Sequence, residues 1–386
     1  MSDLYYPLRS LREGHWFKLI CGASFQHLPA VRNLTLAYTL AGADCIDVAA
    51  DPAVIAAATE ALQKAEKLAD AARARGYGVK GSPWLMVSLN DGEDPHFRKA
   101  EFNPTQCPPN CPRPCESICP SSAIAFQDNG GAFSGVIDTR CYGCGRCPPV
   151  CPIGQIVTRT YVYTPEAIAP LVLQPGVDAL EIHTAVGRVA DFKRLWQAIA
   201  PWVDKLKLIS VSCPDGDGSI DYLWALYELM TPLPCPIVWQ TDGRPMSGDI
   251  GIGTTRAAVK LGEKVLAANL PGYVQLAGGT NNHTVAKLQA ARLLNPNPKS
   301  TIQNPQSFVA GIAYGSYARV LLSPVLEQLE KISRNSADAN APYFQSSLSS
   351  GRLEETPQLL WEAVAQAYSL VSQLKSSVKG KIADCG

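Results

Sequence analysis

Eight of the 13 cysteines of this 386-residue chain fall between Cys107 and Cys151. No other feature constrains the fold as strongly. Cys141, Cys144, Cys147 and Cys151, followed by Pro152, make the run C-x2-C-x2-C-x3-C-P. Three thiolates at this spacing let a tight loop wrap one corner of an iron–sulfur cube, and the fourth leaves on a short helix to ligate a second cluster. Cys107, Cys111, Cys115 and Cys119, followed by Pro120, share the terminal C-x3-C-P, but their first two gaps hold three residues each. That departure leaves the cluster type open between [4Fe-4S] and [3Fe-4S].

The spacing therefore predicts two Fe–S clusters, at least one of them [4Fe-4S]. Under cross-ligation, Cys107, Cys111, Cys115 and Cys151 hold one cluster, and Cys141, Cys144, Cys147 and Cys119 hold the other. The segment between the quartets reads as a strand–turn–strand hairpin around Gly130 and Gly131. Structural zinc is the competing reading. It uses paired C-x2-C units, often with histidine, and does not need two quartets each ended by Cys-Pro. A reducing compartment argues against disulfides.

Outside this segment, short apolar runs alternate with helical patterns. Candidate strands are Phe17–Cys21, Cys45–Val48, Trp84–Leu89, Ala179–His183, Lys207–Ser212, Pro236–Gln240, Tyr273–Ala277 and Phe308–Tyr314. Helical patterns cover Pro52–Arg75, Val189–Ile199, Ile220–Met230, Gly248–Ala268, Thr284–Leu294 and Tyr317–Ile332. These predict an α/β fold, a (β/α)8 TIM-like barrel, with a doubly wound open sheet as runner-up. The barrel is read over 1–100 and 161–332, with a two-cluster ferredoxin-like domain inserted at 101–160, after the third strand. Residues 333–386 read as a flexible linker followed by a C-terminal helix at about 358–378.

With 34 basic and 34 acidic residues the chain carries no net charge, which argues against a general nucleic-acid binder. No apolar run approaches the length of a membrane span, and the opening MSDLYYPLRSLREGHW lacks the apolar core of a signal peptide. A cytoplasmic protein, at most peripheral to membranes, is expected.

At the strand ends, Gly278, Gly279 and Thr280 after strand seven, with Gly315 and Ser316 after strand eight, have the form of a barrel phosphate site for a flavin or another phosphorylated ligand. Glycine turns and helix caps also occur with no ligand. Lys18, Ser24, Asp47, Asp51, Glu181, His183, Gln240, Asp242 and Arg244 are further polar residues at the barrel top, where a satisfied polar layer is the commoner outcome. Cys21, Cys45, Cys213 and Cys235 read as small buried hydrophobes. No nucleophile–base–orienter triad is legible, so no catalytic residue is assigned.

The quartets resemble those of two-cluster ferredoxins. The cysteine segment embedded after GSPWLMVSL, with the following YVYTPEAIAPLV and DALEIHTAVGR, is similar to the cyanobacterial light-dependent period family of iron–sulfur proteins. The resemblance implies a protein that senses cellular redox state and adjusts clock period to light, in assemblies with clock-input proteins that include a histidine kinase. A quinone or another redox carrier is a further input. The readings that compete are a non-enzymatic redox sensor, a flavin-dependent barrel oxidoreductase fed through the ferredoxin-like segment, and an electron carrier with structural clusters. The missing triad favours the first.

Overall fold

The computed structural model describes residues 6–22, 28–92, 98–119, 123–126, 134–138, 140–141, 146–160, 165–173, 175–244, 251, 253–296, 305–336 and 351–376. Eight parallel strands form its centre: β1 (Trp16–Gly22), β2 (Cys45–Ala49), β3 (Trp84–Asn90), β4 (Ala179–His183), β5 (Leu208–Pro214), β6 (Ile237–Asp242), β7 (Tyr273–Ala277) and β8 (Val309–Tyr314). Each pairs with its sequence neighbour, and β1 pairs with β8, so the sheet closes into a barrel. The barrel predicted from strand–helix alternation is the fold observed. The helices are α1 (Tyr6–Glu13), α2 (Leu28–Ala41), α3 (Pro52–Ala74), α4 (Pro165–Val172), α5 (Val189–Ile199), α6 (Ser219–Met230), α7 (Thr255–Ala267), α8 (Thr284–Ala290), α9 (Ser316–Ser336) and α10 (Pro357–Ser376).

Because helices cover the outside and side chains fill the inside, both faces of each strand are buried, and the strands read as nearly continuous apolar runs. Alternation still sorts them. On β1, Phe17, Leu19 and Cys21 join the large core shared with the helices, whereas Trp16 joins a second cluster inside the barrel. That inner cluster holds Trp16, Trp84, Met86, Leu208, Val238 and Phe308, with the rings of Trp16 and Trp84 edge to face at 5.7 Å. The floor is a packed apolar plug. Above it, the inward positions turn polar.

The expected element ends shift in places. Helix α7 begins at Thr255, with residues 245–250 outside the described residues; α8 stops at Ala290 instead of Leu294, where Arg292 adopts φ +57°. Part of the segment read as a linker is packed: α9 runs to Ser336, and Leu353 is fully buried beneath an Arg32–Glu354 ion pair. Asn33 Nδ2 donates to the Gly351 carbonyl at 2.9 Å. The apolar side chain of Leu353 overrides the polar composition around it. Helix α10 lies across α2 and α9, and Lys375 Nζ reaches Asp44 Oδ2 at 2.5 Å below the barrel floor.

The cysteine segment leaves the barrel after β3 on the strand Arg98–Glu101 and returns on Val157–Thr160, paired antiparallel with it. Within it, Ile124–Ala125 pairs with Gly135–Val136, the base of the predicted hairpin; its tip at 127–133 lies outside the described residues. A small core of Ala100, Ala123, Ile124, Phe126 and Ile156 packs around Cys115, Cys141 and Cys147.

Candidate iron–sulfur centre and the barrel interior

The first quartet folds as successive proline-led turns. Cys107 N–H donates to the Pro104 carbonyl at 3.2 Å, Cys111 N–H to the Pro108 carbonyl at 3.0 Å, and Cys115 lies in the one-turn helix Pro114–Ser117. The first gap closes as the turn Pro108–Cys111, and the second passes through Arg113, at φ +52°, into the helix that carries Cys115.

The thiols of this quartet feel one another. Burial first, then Cys111 and Cys151, push the Cys107 thiol up, against a hydrogen bond from Gln155 Nε2 at 3.1 Å. Burial, with Cys107 and Cys151 adding to it, pushes Cys115 up to about 11. Cys151, from the second run, is near enough to Cys107 and Cys115 to raise both thiols. Its own thiol is held below the ordinary range: burial would raise it, but main-chain N–H groups of Ile153, Gln155, Ile156 and Gly154 outweigh that effect.

Elsewhere in the segment, Ala100 N–H donates to Cys141 Sγ at 3.3 Å and Ala123 N–H to Cys119 Sγ at 3.2 Å. Cys147 is buried in the same small core. Cys144 lies outside the described residues. The donor set fits an iron–sulfur cage: soft thiolates that repel one another until a cationic cluster neutralises them, with amides aimed at the sulfurs. Among the described residues no group of three His, Cys, Asp or Glu closes to the spacing of a single metal ion.

The barrel interior holds a second constellation. Lys18, Asp47, Glu181, Gln240 and Asp242, all singled out in sequence, converge there. Fully buried Lys18 bonds Glu181 and lies 3.5 Å from Asp47. Ser210 Oγ donates to Glu181 Oε2 at 2.8 Å, Gln240 Nε2 to Glu181 Oε1 at 2.8 Å, and Ser88 Oγ to Asp47 Oδ1 at 2.6 Å. A chain of amides closes the layer: Trp16 Nε1 donates to Gln275 Oε1 at 2.7 Å, and Gln275 Nε2 to Gln240 Oε1 at 2.6 Å. Asp242 accepts from Ser212. At the rim, His183 Nε2 lies 3.3 Å from Glu181 Oε1.

The carboxyls respond unequally. Burial pushes Asp47 up to about 6, against Lys18 and with Glu181 adding to the rise. Glu181 is held low: burial opposes ionisation, but Lys18 and His183 outweigh it. Within this layer Glu181 accepts from three side chains, Lys18, Ser210 and Gln240, while the buried His183 Nε2 makes no hydrogen bond among the described residues. Ser88, Ser210, Ser212 and Gln275 were missed in sequence, although they sit at the inward parity of their strands, two residues apart like Glu181 and His183.

The other singled-out residues stand apart. Asp51 caps α3, its Oδ1 accepting from Ala53 N at 2.8 Å and Val54 N at 3.3 Å. Arg244 is exposed, and Ser24 lies outside the described residues. Gly278 and Gly279 adopt φ +64° and +92°; a Cβ there would come within 2.7 Å of Arg244 N and 2.9 Å of the Thr254 carbonyl. Close backbone packing thus accounts for both glycines. The Thr280 hydroxyl donates to the Ala313 carbonyl at 2.6 Å, and Ser316 Oγ accepts from Arg319 at 3.1 Å. Cys21, Cys45 and Cys213 are buried and Cys235 half-buried; burial pushes Cys21 and Cys213 up to about 12. No described helix is long and apolar enough to cross a membrane.

Fold and site together define an α/β barrel with an embedded iron–sulfur domain. Family models agree: the light dependent period A Fe-S cluster-binding domain matches residues 107–162, and the light dependent period A C-terminal domain matches 171–373. Light dependent period A from Synechococcus elongatus is 48% identical over 375 residues, 97% of this chain and 95% of that protein. The chain belongs to the light dependent period A family and is an iron–sulfur protein. Among solved structures, tryptophan synthase from Mycobacterium tuberculosis covers 94% of this chain and 93% of its own at 11% identity, with a TM-score of 0.37. A family 20 β-N-acetylglucosaminidase covers 94% and 76% at 9% identity, with a TM-score of 0.31. Both scores are too low to carry any argument.

Proposed function

We propose that this protein is a redox sensor that reports cellular redox state, set by light, to the circadian clock input. Two clusters are assigned, one on Cys107, Cys111, Cys115 and Cys151 and the other on Cys141, Cys144, Cys147 and Cys119. The observation that carries the assignment is the reach of the second run to the first: Gln155, four residues past Cys151, bonds Cys107 Sγ at 3.1 Å, and Cys151 raises the Cys107 and Cys115 thiols. The clusters supply one-electron chemistry, and the amides around Cys151 and Cys141 stabilise the sulfur charge that changes with it. What supports the sensing reading in the barrel is that Lys18, Glu181, Gln240, Gln275 and the serines beside them bond one another, and that no nucleophile–base–orienter triad occurs among the described residues. Clock-input proteins, among them a histidine kinase, are the proposed recipients, with a quinone or another carrier as electron source and the cytoplasm as setting.

Anaerobic redox titration of the purified full chain, followed by electron paramagnetic resonance with iron and sulfide analysis, tests this. Reversible reduction within the working range of the cell is expected. A colourless, sulfide-free protein, or clusters that do not cycle, would overturn the proposal. Flavin fluorescence released on denaturation would establish the barrel oxidoreductase instead.

A further inference from the structure

Lys99 is on Arg98–Glu101, the strand that carries the chain out of the barrel, and is only 2% exposed. Its Nζ donates to the Asp138 carbonyl, just before Cys141 in the chain, and faces Asp51 Oδ2 at 3.8 Å. The next residue, Ala100, gives its N–H to Cys141 Sγ. The other oxygen of Asp51 caps α3. One ammonium therefore touches both the loop that leads to Cys141 and the start of a barrel helix.

Burying a lysine is costly, and an apolar side chain would anchor a two-stranded ribbon equally well. The charge needs another reason. We infer that Lys99 is a positioning and tuning residue for the cluster assigned to the Cys141 set, and that Asp51 is the counter-charge through which that cluster's state reaches α3. The inference rests on the redox reading above. The step is a one-electron reduction: the cluster gains an electron, a one-electron carrier is oxidised by the same electron, and no bond or proton need move. The added negative charge draws on Lys99, which favours the reduced form and loosens its hold on Asp51. Cluster potentials respond to net charge of this kind.

The test compares reduction potentials of full-length, iron-loaded wild type, Lys99→Met, Lys99→Arg and Asp51→Asn, titrated with dithionite. Lys99→Met is expected to lower the reduced-to-oxidised ratio on the order of tenfold, about 59 mV for one electron. Asp51→Asn, which keeps a capping side chain, is expected to shift the potential the other way, and Lys99→Arg to stay near wild type. Opposite signs separate a charge effect from mere loosening. Hydrogen exchange at Ala53 and Val54 should differ between oxidised and reduced wild type and be equal in Lys99→Met. If Lys99→Met fails to load iron, Asp51→Asn and Lys99→Arg carry the comparison. Clusters that cycle normally at an unmoved potential in Asp51→Asn, with no exchange difference in wild type, would overturn this inference alone. Clusters that never cycle would overturn the sensor reading beneath it.

Discussion

Replacing Lys18 with methionine should be among the most damaging single changes in the barrel. The side chain is fully buried, bonded to Glu181 and 3.5 Å from Asp47. At an effective dielectric of about 20, a unit charge pair at that separation is worth about 5 kcal/mol. Glu181 lies nearer. Removing the ammonium returns its own desolvation cost but leaves two buried carboxyls facing one another, for a net loss of about 3–5 kcal/mol. Total stabilities are about 5–15 kcal/mol, so this is a large share. Denaturant unfolding of the full chain, followed by far-ultraviolet circular dichroism, reads the loss as a shift in midpoint at constant slope. The double variant Lys18→Met/Glu181→Gln should recover much of it, because the most strongly ionised carboxyl is then gone. A loss below about 1 kcal/mol for Lys18→Met would refute the view of this layer as a tightly coupled charge network.

Asp47, raised by burial to about 6 from an ordinary value of 3.8, binds its proton more tightly in the folded state. Stability is therefore lost as pH rises between about 4 and 6, by about 3 kcal/mol for this group; Asp47→Asn should flatten that slope in unfolding curves taken across the interval, and an unchanged slope would reject it. Under the proposed cross-ligation, Cys151→Ala should remove the same cluster as Cys107→Ala and spare the paramagnetic signal of the other, Cys151 being near enough to raise the Cys107 and Cys115 thiols; a spectrum matching Cys144→Ala instead would exclude the cross-ligated assignment. Leu353→Ala, at a fully buried position, should cost about 2–5 kcal/mol by chemical denaturation. A neutral result would mean that the 3-10 turn at Leu353–Glu355 does not hold the C-terminal helix in place.

The parts of this molecule that were legible in sequence are those with a strong local period or spacing. Parallel strands such as Cys45–Ala49 and Tyr273–Ala277 are short apolar runs between helical stretches, and their count and order suffice to suggest closure. The cysteine quartets are legible because chain geometry near a cluster allows few spacings. Helix ends were less legible: α7 starts at Thr255 instead of Gly248, and α8 ends at Ala290, where the positive φ of Arg292 intervenes before the apolar pattern stops. Leu353 was invisible for a related reason, being one apolar residue in a polar stretch, fixed by contacts with the distant α2. Glu181 and Asp47 could be singled out as polar residues on apolar strands. Their partners Ser88 and Ser210 could be found only by counting inward parity from them.

Lys99 shows the limit most clearly. In sequence it is one lysine beside Arg98, with nothing to mark it from a solvated surface residue. Its burial follows only once the ribbon pairs with Val157–Thr160, the Asp138 carbonyl turns toward it, and Asp51 is committed to capping α3. Each of those three conditions comes from a different part of the chain. Two of the groups are far apart in sequence, and they meet because the insertion is rooted at the end of β3, beside the end of β2. An insertion after any strand distant from β2 would leave Asp51 a plain helix cap and Lys99 exposed. The place of insertion, more than the cysteine motif itself, is what puts cluster charge within reach of the barrel.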